Sequence, residues 1–178
     1  MSKINKYIFF KKICSKRGFS LIEIMVCIAL SVIFASLIFA NISFIHRYLL
    51  RAEVDKIFNV CRYLQRCAQI SGEKKVLYFD IKNNIYMYDN KMCRLPKRIK
   101  FGTIPGVKGP PSSPRKIINS PITFKGNKVV FHPDGIIQSG TVYITDNKNR
   151  FLYAVSCSVS QVSYLRKYLY NQTWTQIK

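Results

Sequence analysis

The chain has 178 residues, 48% of them hydrophobic, enough for one modest folded domain with appendages and too apolar for a chain disordered throughout. Lys and Arg outnumber Asp and Glu by 29 to 8, a formal charge of +21, which points to an anionic surface, nucleic acid or an acidic protein as neighbour. Six cysteines (Cys14, Cys27, Cys61, Cys67, Cys93, Cys157) and two histidines (His46, His132) show no CxxC or Cys/His spacing, which argues against a zinc site, and nothing in the pattern calls for a cofactor.

In chain order, residues 1–18 carry Lys3, Lys6, Lys11, Lys12, Lys16 and Arg17 and no acidic residue. Removal of this stretch would still leave an excess of about +15 on the remainder. From Phe19 to Ile45 there is no Lys, Arg or Asp and a single carboxylate, Glu23. As a helix, Ile24 to Ala40 with its flanks to Ile45 covers about 30 Å, the thickness of a bilayer core. A secretory signal peptide is the rival reading, but its apolar region is shorter and ends in a small-x-small site, whereas here Ile38-Phe39-Ala40 precedes Asn41. The leader cations, set against Arg47, Arg51, Lys56 and Arg62 beyond the span, favour a cytoplasmic N-terminus and a periplasmic bulk.

A carboxylate within a spanning helix costs on the order of 2–3 kcal/mol unless paired or protonated, so Glu23 requires a partner. The run KRGFSLIEIMVCIAL, with a basic leader ending in Gly18 and then Phe19, Ser20, Leu21, Ile22 and Glu23, resembles the prepilin class. That resemblance implies cleavage between Gly18 and Phe19 by a membrane-embedded prepilin peptidase, which also methylates the new Phe19 amine. Gly18 suits an enzyme that must approach the backbone closely. A cationic amine on Phe19 of one subunit can neutralise Glu23 of its neighbour in a low-dielectric helix bundle, which gives assembly a register.

Beyond the span the apolar positions Leu50, Val54, Ile57, Phe58, Cys61, Leu64 and Ala68, with Arg51, Asp55, Lys56, Arg62 and Arg66 between them, predict an amphipathic helix over residues 46–71 that packs on a sheet. Ser71-Gly72 is the expected stop, giving one helix of about fifty residues from Phe19. From Lys75 the period changes to two. VLYFDI and IYMY flank a turn at Lys82-Asn83-Asn84, and strands are expected at Arg98–Phe101, Pro121–Phe124, Lys128–His132, Thr141–Thr145, Phe151–Ser156 and Gln161–Tyr168. Between Gly102 and Pro121 five of the seven prolines predict an exposed loop. Residues 72–178 therefore read as an antiparallel β-rich domain, and the whole chain as α+β.

Ile122-Thr123-Phe124, Val130-Phe131-His132-Pro133-Asp134-Gly135, Gly140–Thr145 and Arg150–Val155 resemble the GspH/FimT pseudopilin domain. The resemblance implies a pilin-like fold: a long N-terminal helix, membrane-spanning over residues 19–45, packed on an antiparallel sheet. It also implies other pilins or pseudopilins and an inner-membrane assembly platform as partners. Two functions then stand side by side. One is a minor pseudopilin of a type II secretion system, a structural subunit of the periplasmic pseudopilus; the other is a minor type IV pilin that binds DNA during natural transformation. Tyr164, Arg166, Lys167, Tyr168 and Tyr170 offer aromatic and basic groups for nucleic acid, with Arg166 and Lys167 as the candidate contacts. An edge strand with lysines that discourage aggregation fits the same residues. His132, Asp134 and Ser139 make no nucleophile–base pattern, and neither a GxxxxGK[ST] loop nor a GxSxG elbow occurs, so no enzyme is expected. Cys61 and Cys67 sit about 9 Å apart along a helix, too far to bridge. A Cys93–Cys157 bridge and free buried cysteines both remain open.

Overall fold

The computed structural model describes residues 19–40, 42–110, 114–157 and 164–177. The chain divides into two units, residues 1–42 and 43–178. The first contains helix α1, Leu21–Ala40. The second contains all of helix α2 (Ile42–Ser71) but its first residue, followed, among the described residues, by nine strands. The expected helical residues on both sides of Asn41 are thus found, and Asn41 lies outside the described residues.

Helix α2 ends where the sequence places its stop, because Gly72 takes the left-handed conformation (φ 68°) that glycine adopts without steric cost. Its expected apolar stripe is the buried one: Leu50, Val54, Ile57, Cys61, Leu64 and Ala68 all lie in the core, and Phe58 is half-buried against it. Burial of each large aliphatic side chain stabilises the fold by roughly 1.5–3 kcal/mol relative to exposure.

The strands form two antiparallel sheets. β1 (Lys75–Asp80), β2 (Ile85–Tyr88), β3 (Lys91–Arg94) and β5 (Lys128–Phe131) give a four-stranded sheet in the order β3-β2-β1-β5. β4 (Ile99–Phe101), β6 (Gly140–Asp146), β7 (Leu152–Cys157), β8 (Arg166–Asn171) and β9 (Thr173–Ile177) give a five-stranded sheet in the order β4-β6-β7-β8-β9. A single core joins α2 to one face of each sheet, through Leu77, Phe79, Tyr86, Val129 and Phe131 on the first and Val142, Ile144, Tyr153 and Val155 on the second. This α+β arrangement, a helix packed on antiparallel sheet, accords with the pilin-like fold.

Several elements differ from expectation. β3 follows a two-residue turn at Asp89-Asn90, both with positive φ (45° and 61°), as a tight hairpin demands. Pro121–Phe124 contributes only an isolated bridge, Ile122 to Val142, before a short 3-10 turn at Lys125–Asn127. The strand expected over Gln161–Tyr168 is described only from Arg166, runs on to Asn171 and turns about Gln172 (φ 62°) into β9; residues 161–163 lie outside the described residues.

The proline-rich segment is not simply an exposed loop. Val107 and Ile118 are buried, Lys108 bridges Ile117, and the Lys108 carbonyl accepts a hydrogen bond from Trp174 Nε1 at 2.8 Å. The segment folds back over the outer face of the five-stranded sheet and forms a second small core with Tyr143, Leu152, Ala154 and Tyr168. That cover explains why β7 is buried at every position: a strand enclosed on both faces loses the polar alternation of a half-exposed one.

Polar groups fix the turns. Asp146 Oδ1 accepts the Arg150 and Phe151 N–H groups at 2.6 and 3.2 Å, and Oδ2 accepts Arg150 Nε at 3.0 Å. Burial alone would raise this carboxyl, but those hydrogen bonds and the Arg150 charge hold it below the usual carboxylate range. Its contribution to stability is present at neutral pH and is lost as pH falls through that lowered value. Gly135 (φ 83°) packs so closely on α2 that an added Cβ would lie 2.4 Å from Gln69 Nε2, while its carbonyl accepts Gln65 Nε2 at 2.9 Å.

Cys93 lies on β3 and Cys157 at the end of β7, in different sheets, and no disulfide joins them. Cys157 instead lies near Cys61. Burial, and secondarily the neighbouring Cys157, push the Cys61 thiol from its ordinary 9.0 up to about 12. A folded value above the unfolded one means that its contribution to stability is complete below about pH 9 and declines as pH rises toward 12. In the native protein at pH 8 an alkylating reagent should modify half-buried Cys67 and Cys93 well before Cys61. Mass spectrometry of the labelled peptides checks this, and equal labelling of Cys61 without denaturant would contradict the packing of α2.

Candidate functional site

The chemistry suggested by the sequence is concentrated at the start of α1. The Ser20 carbonyl accepts the Glu23 and Ile24 N–H groups at 3.0 and 3.2 Å, which opens the helix at Leu21. Glu23 is the third helical residue and lies in the first turn, where the partial positive charge of the helix end favours a carboxylate by about 0.3–1 kcal/mol. Ser20-Leu21-Ile22-Glu23 also has the Ser-x-x-Glu spacing of a capping box. That signal was readable in the sequence, and it places the carboxylate in the first turn of the helix.

The rest of α1 has no polar face. Phe19, Ile22 and Ile38 are 76, 69 and 65% exposed, and large apolar residues on every side of the helix are exposed with them. Its two described serine hydroxyls are satisfied within the helix: Ser31 Oγ donates to the Cys27 carbonyl at 2.8 Å and Ser36 Oγ to the Ile33 carbonyl at 2.7 Å. Neither demands water, so the helix presents apolar surface with one carboxylate near its start. Among the described residues, no cation forms an ion pair with Glu23, and no helix is long and apolar enough to cross a membrane. Gly18, the other half of the expected cleavage site, lies outside the described residues.

The two candidate nucleic-acid contacts point to opposite faces of β8. Lys167 is turned inward: its side chain is 11% exposed, Nζ pairs with Asp55 on α2, and the ammonium lies 4.9 Å from the centre of the Phe58 ring. Its charge is thus already matched by a carboxylate and an aromatic face. Arg166 lies over Tyr164 at 4.8 Å and donates through Nη2 to the Tyr164 hydroxyl at 3.1 Å. Of the neighbouring tyrosines, Tyr168 is buried, and Tyr170 is half-buried with its ring 5.2 Å from Trp174. The aromatic part of the C-terminal stretch therefore builds the small outer core.

His132, Asp134 and Gly135 form the tight turn that the residue types suggest. Gly135 N–H donates to the His132 carbonyl at 2.9 Å, and Asp134 Oδ1 accepts the Ile136 N–H at 2.9 Å. Among the described residues, no three His, Cys, Asp or Glu side chains converge as a metal site would require.

Residues 13–39 match the family model of the prokaryotic N-terminal methylation motif. No curated protein and no solved structure matches the chain. The match takes in the start of α1 and supports a type IV pilin-like protein, with which the helix packed on antiparallel sheet is consistent.

Proposed function

We propose that this chain is a membrane-anchored structural subunit that is cut after Gly18, methylated on Phe19 and assembled through Glu23 into a pilus-like fibre. The observation that carries the proposal is the methylation motif over residues 13–39, coincident with a helix that has one carboxylate in its first turn and apolar residues all round. The span is taken as Phe19 to Ile45, longer than α1 alone, with the leader cytoplasmic and the domain from α2 onward in the periplasm.

Within that class, the reading we favour is a minor pseudopilin of a type II secretion system, in which the subunit helps build the periplasmic pseudopilus. The GspH/FimT-like strand pattern supports it. DNA binding by a FimT-like minor pilin is the second reading, favoured by the charge excess and by the Arg166–Tyr164 pair. The engagement of Lys167 with Asp55 weighs against it, since that ion pair must break before the ammonium can neutralise a phosphate.

Topology provides the test. In cells with a permeabilised outer membrane, added protease should degrade the domain from α2 onward while the apolar segment remains with the membrane and resists alkaline extraction. A protected domain, or release of the whole chain by alkaline carbonate, would overturn the anchored periplasmic reading.

A further inference from the structure

The two sheets differ on their outer faces. Residues of the proline-rich segment cover the five-stranded sheet, but no described residue packs in that way on the four-stranded sheet. Strand register places Met92, Met87, Tyr78 and Lys128 in one row across β3, β2, β1 and β5. Met92, Tyr78 and Met87 are 67, 47 and 37% exposed, and with Val76 they line a shallow groove of about 330 Å³. Contiguous exposed apolar groups on a folded domain mark an interaction surface, and Met and Tyr are enriched in the cores of protein interfaces.

The charges around this groove limit its occupant. Lys128 ends the Met-Tyr row on one side, exposed Lys91 lies at the opposite edge, and Arg94 stands in the adjacent row opposite Ile85. Two carboxylates stand against these three cations: Asp89 lines the groove beside Lys91, and Asp80 is occupied by its own turn, where Oδ1 accepts the Lys82 and Asn83 N–H groups at 3.0 and 3.1 Å and Oδ2 accepts Asn83 Nδ2 at 2.6 Å. A second copy meeting this face with its own would bring Lys128, Lys91 and Arg94 of each copy together with Asp89 as the one unengaged carboxylate on each side, a net repulsion on a subunit that already carries a large positive excess.

Building on the fibre reading above, we propose that the Met92–Met87–Tyr78 face of the four-stranded sheet docks a different subunit of the fibre, one whose apolar patch is rimmed by Asp and Glu. The basic excess then selects an unlike neighbour and suppresses self-packing at this face, as like charges across an interface do.

The test places a photo-crosslinking residue at position 87 of the full-length chain in its own cells and identifies the adduct by mass spectrometry. The expected adduct is a different chain that carries an N-terminal methylation motif and a net negative domain. Lys128→Glu combined with Arg94→Glu should reduce that adduct at least tenfold while the chain remains folded and processed. An adduct with a second copy, with lipid or with nucleic acid, or no adduct, would overturn the proposal. The N-terminus of the same preparation separates the two claims. A methylated Phe19 with no unlike-subunit adduct removes the docking face alone, whereas an uncut leader removes the fibre reading and the docking proposal with it.

Discussion

Gly18→Ala should leave the chain at full length in the inner membrane, with its leader attached and its Phe19 nitrogen still in a peptide bond. The expectation follows from close approach: a protease that seats the backbone at glycine has no room for a methyl group. The substitution lies outside the folded domain, whose core is formed by α2 and the two sheets, so it should not destabilise residues 43–178. Gel mobility and mass spectrometry of the membrane fraction provide the check. A normal Phe19 terminus in this variant would refute the assigned cleavage site. If the uncut chain nevertheless enters fibres, the amine is not needed for assembly.

Glu23→Ala separates processing from assembly. Removal of a carboxylate from an apolar helix relieves an insertion cost on the order of 2–3 kcal/mol, so the variant should reach the membrane and be cut as well as the wild type. What it loses is the counter-charge for the Phe19 amine of a neighbour. A deficit of about 2 kcal/mol at that contact corresponds to roughly 30-fold poorer incorporation, measured as the fraction co-purifying with other pilin-like subunits. Glu23→Gln keeps the size and the hydrogen-bonding capacity and should be nearly as defective if charge is the cause. Incorporation of Glu23→Gln at the wild-type level would assign Glu23 to helix capping instead, a role its place in the first turn also supports.

How far the sequence reveals this molecule depends on the range of each interaction. α2 was legible because its apolar residues recur at helical spacing without interruption until Gly72. The β1–β2 hairpin was legible from its alternation and its asparagine turn. β3 was not, because Lys91-Met92-Cys93-Arg94 is short and has no apolar alternation; its existence depends on Asp89 and Asn90 accepting positive φ. The cover over the five-stranded sheet was missed because Val107 and Ile118 are isolated apolar residues within a proline-rich segment. Only the second core shows what they are for.

The candidate sites divide in the same way. The Gly18, Phe19 and Glu23 motif lies in one short contiguous run, so its match to the methylation motif over residues 13–39 needs no tertiary structure. The fate of Lys167 depends on Asp55, 112 residues earlier in the chain, and on the phase of β8, neither of which local pattern fixes. A basic-aromatic stretch that reads as a nucleic-acid surface in sequence is divided by the strand into an inward ion pair and an outward aromatic core. The pleat that produces this division also lines up Met92, Met87 and Tyr78 on the uncovered face of the other sheet.

One cut would turn a basic leader and an apolar helix into an assembly device, by creating the cation that Glu23 meets. The most direct test is the mass of the N-terminal peptide of the native, membrane-extracted protein. The expected chain begins at Phe19 and carries one added methyl group on its amine. A chain that retains residues 1–18, or one cut beyond Ala40 as a conventional secretory signal would be, would contradict it.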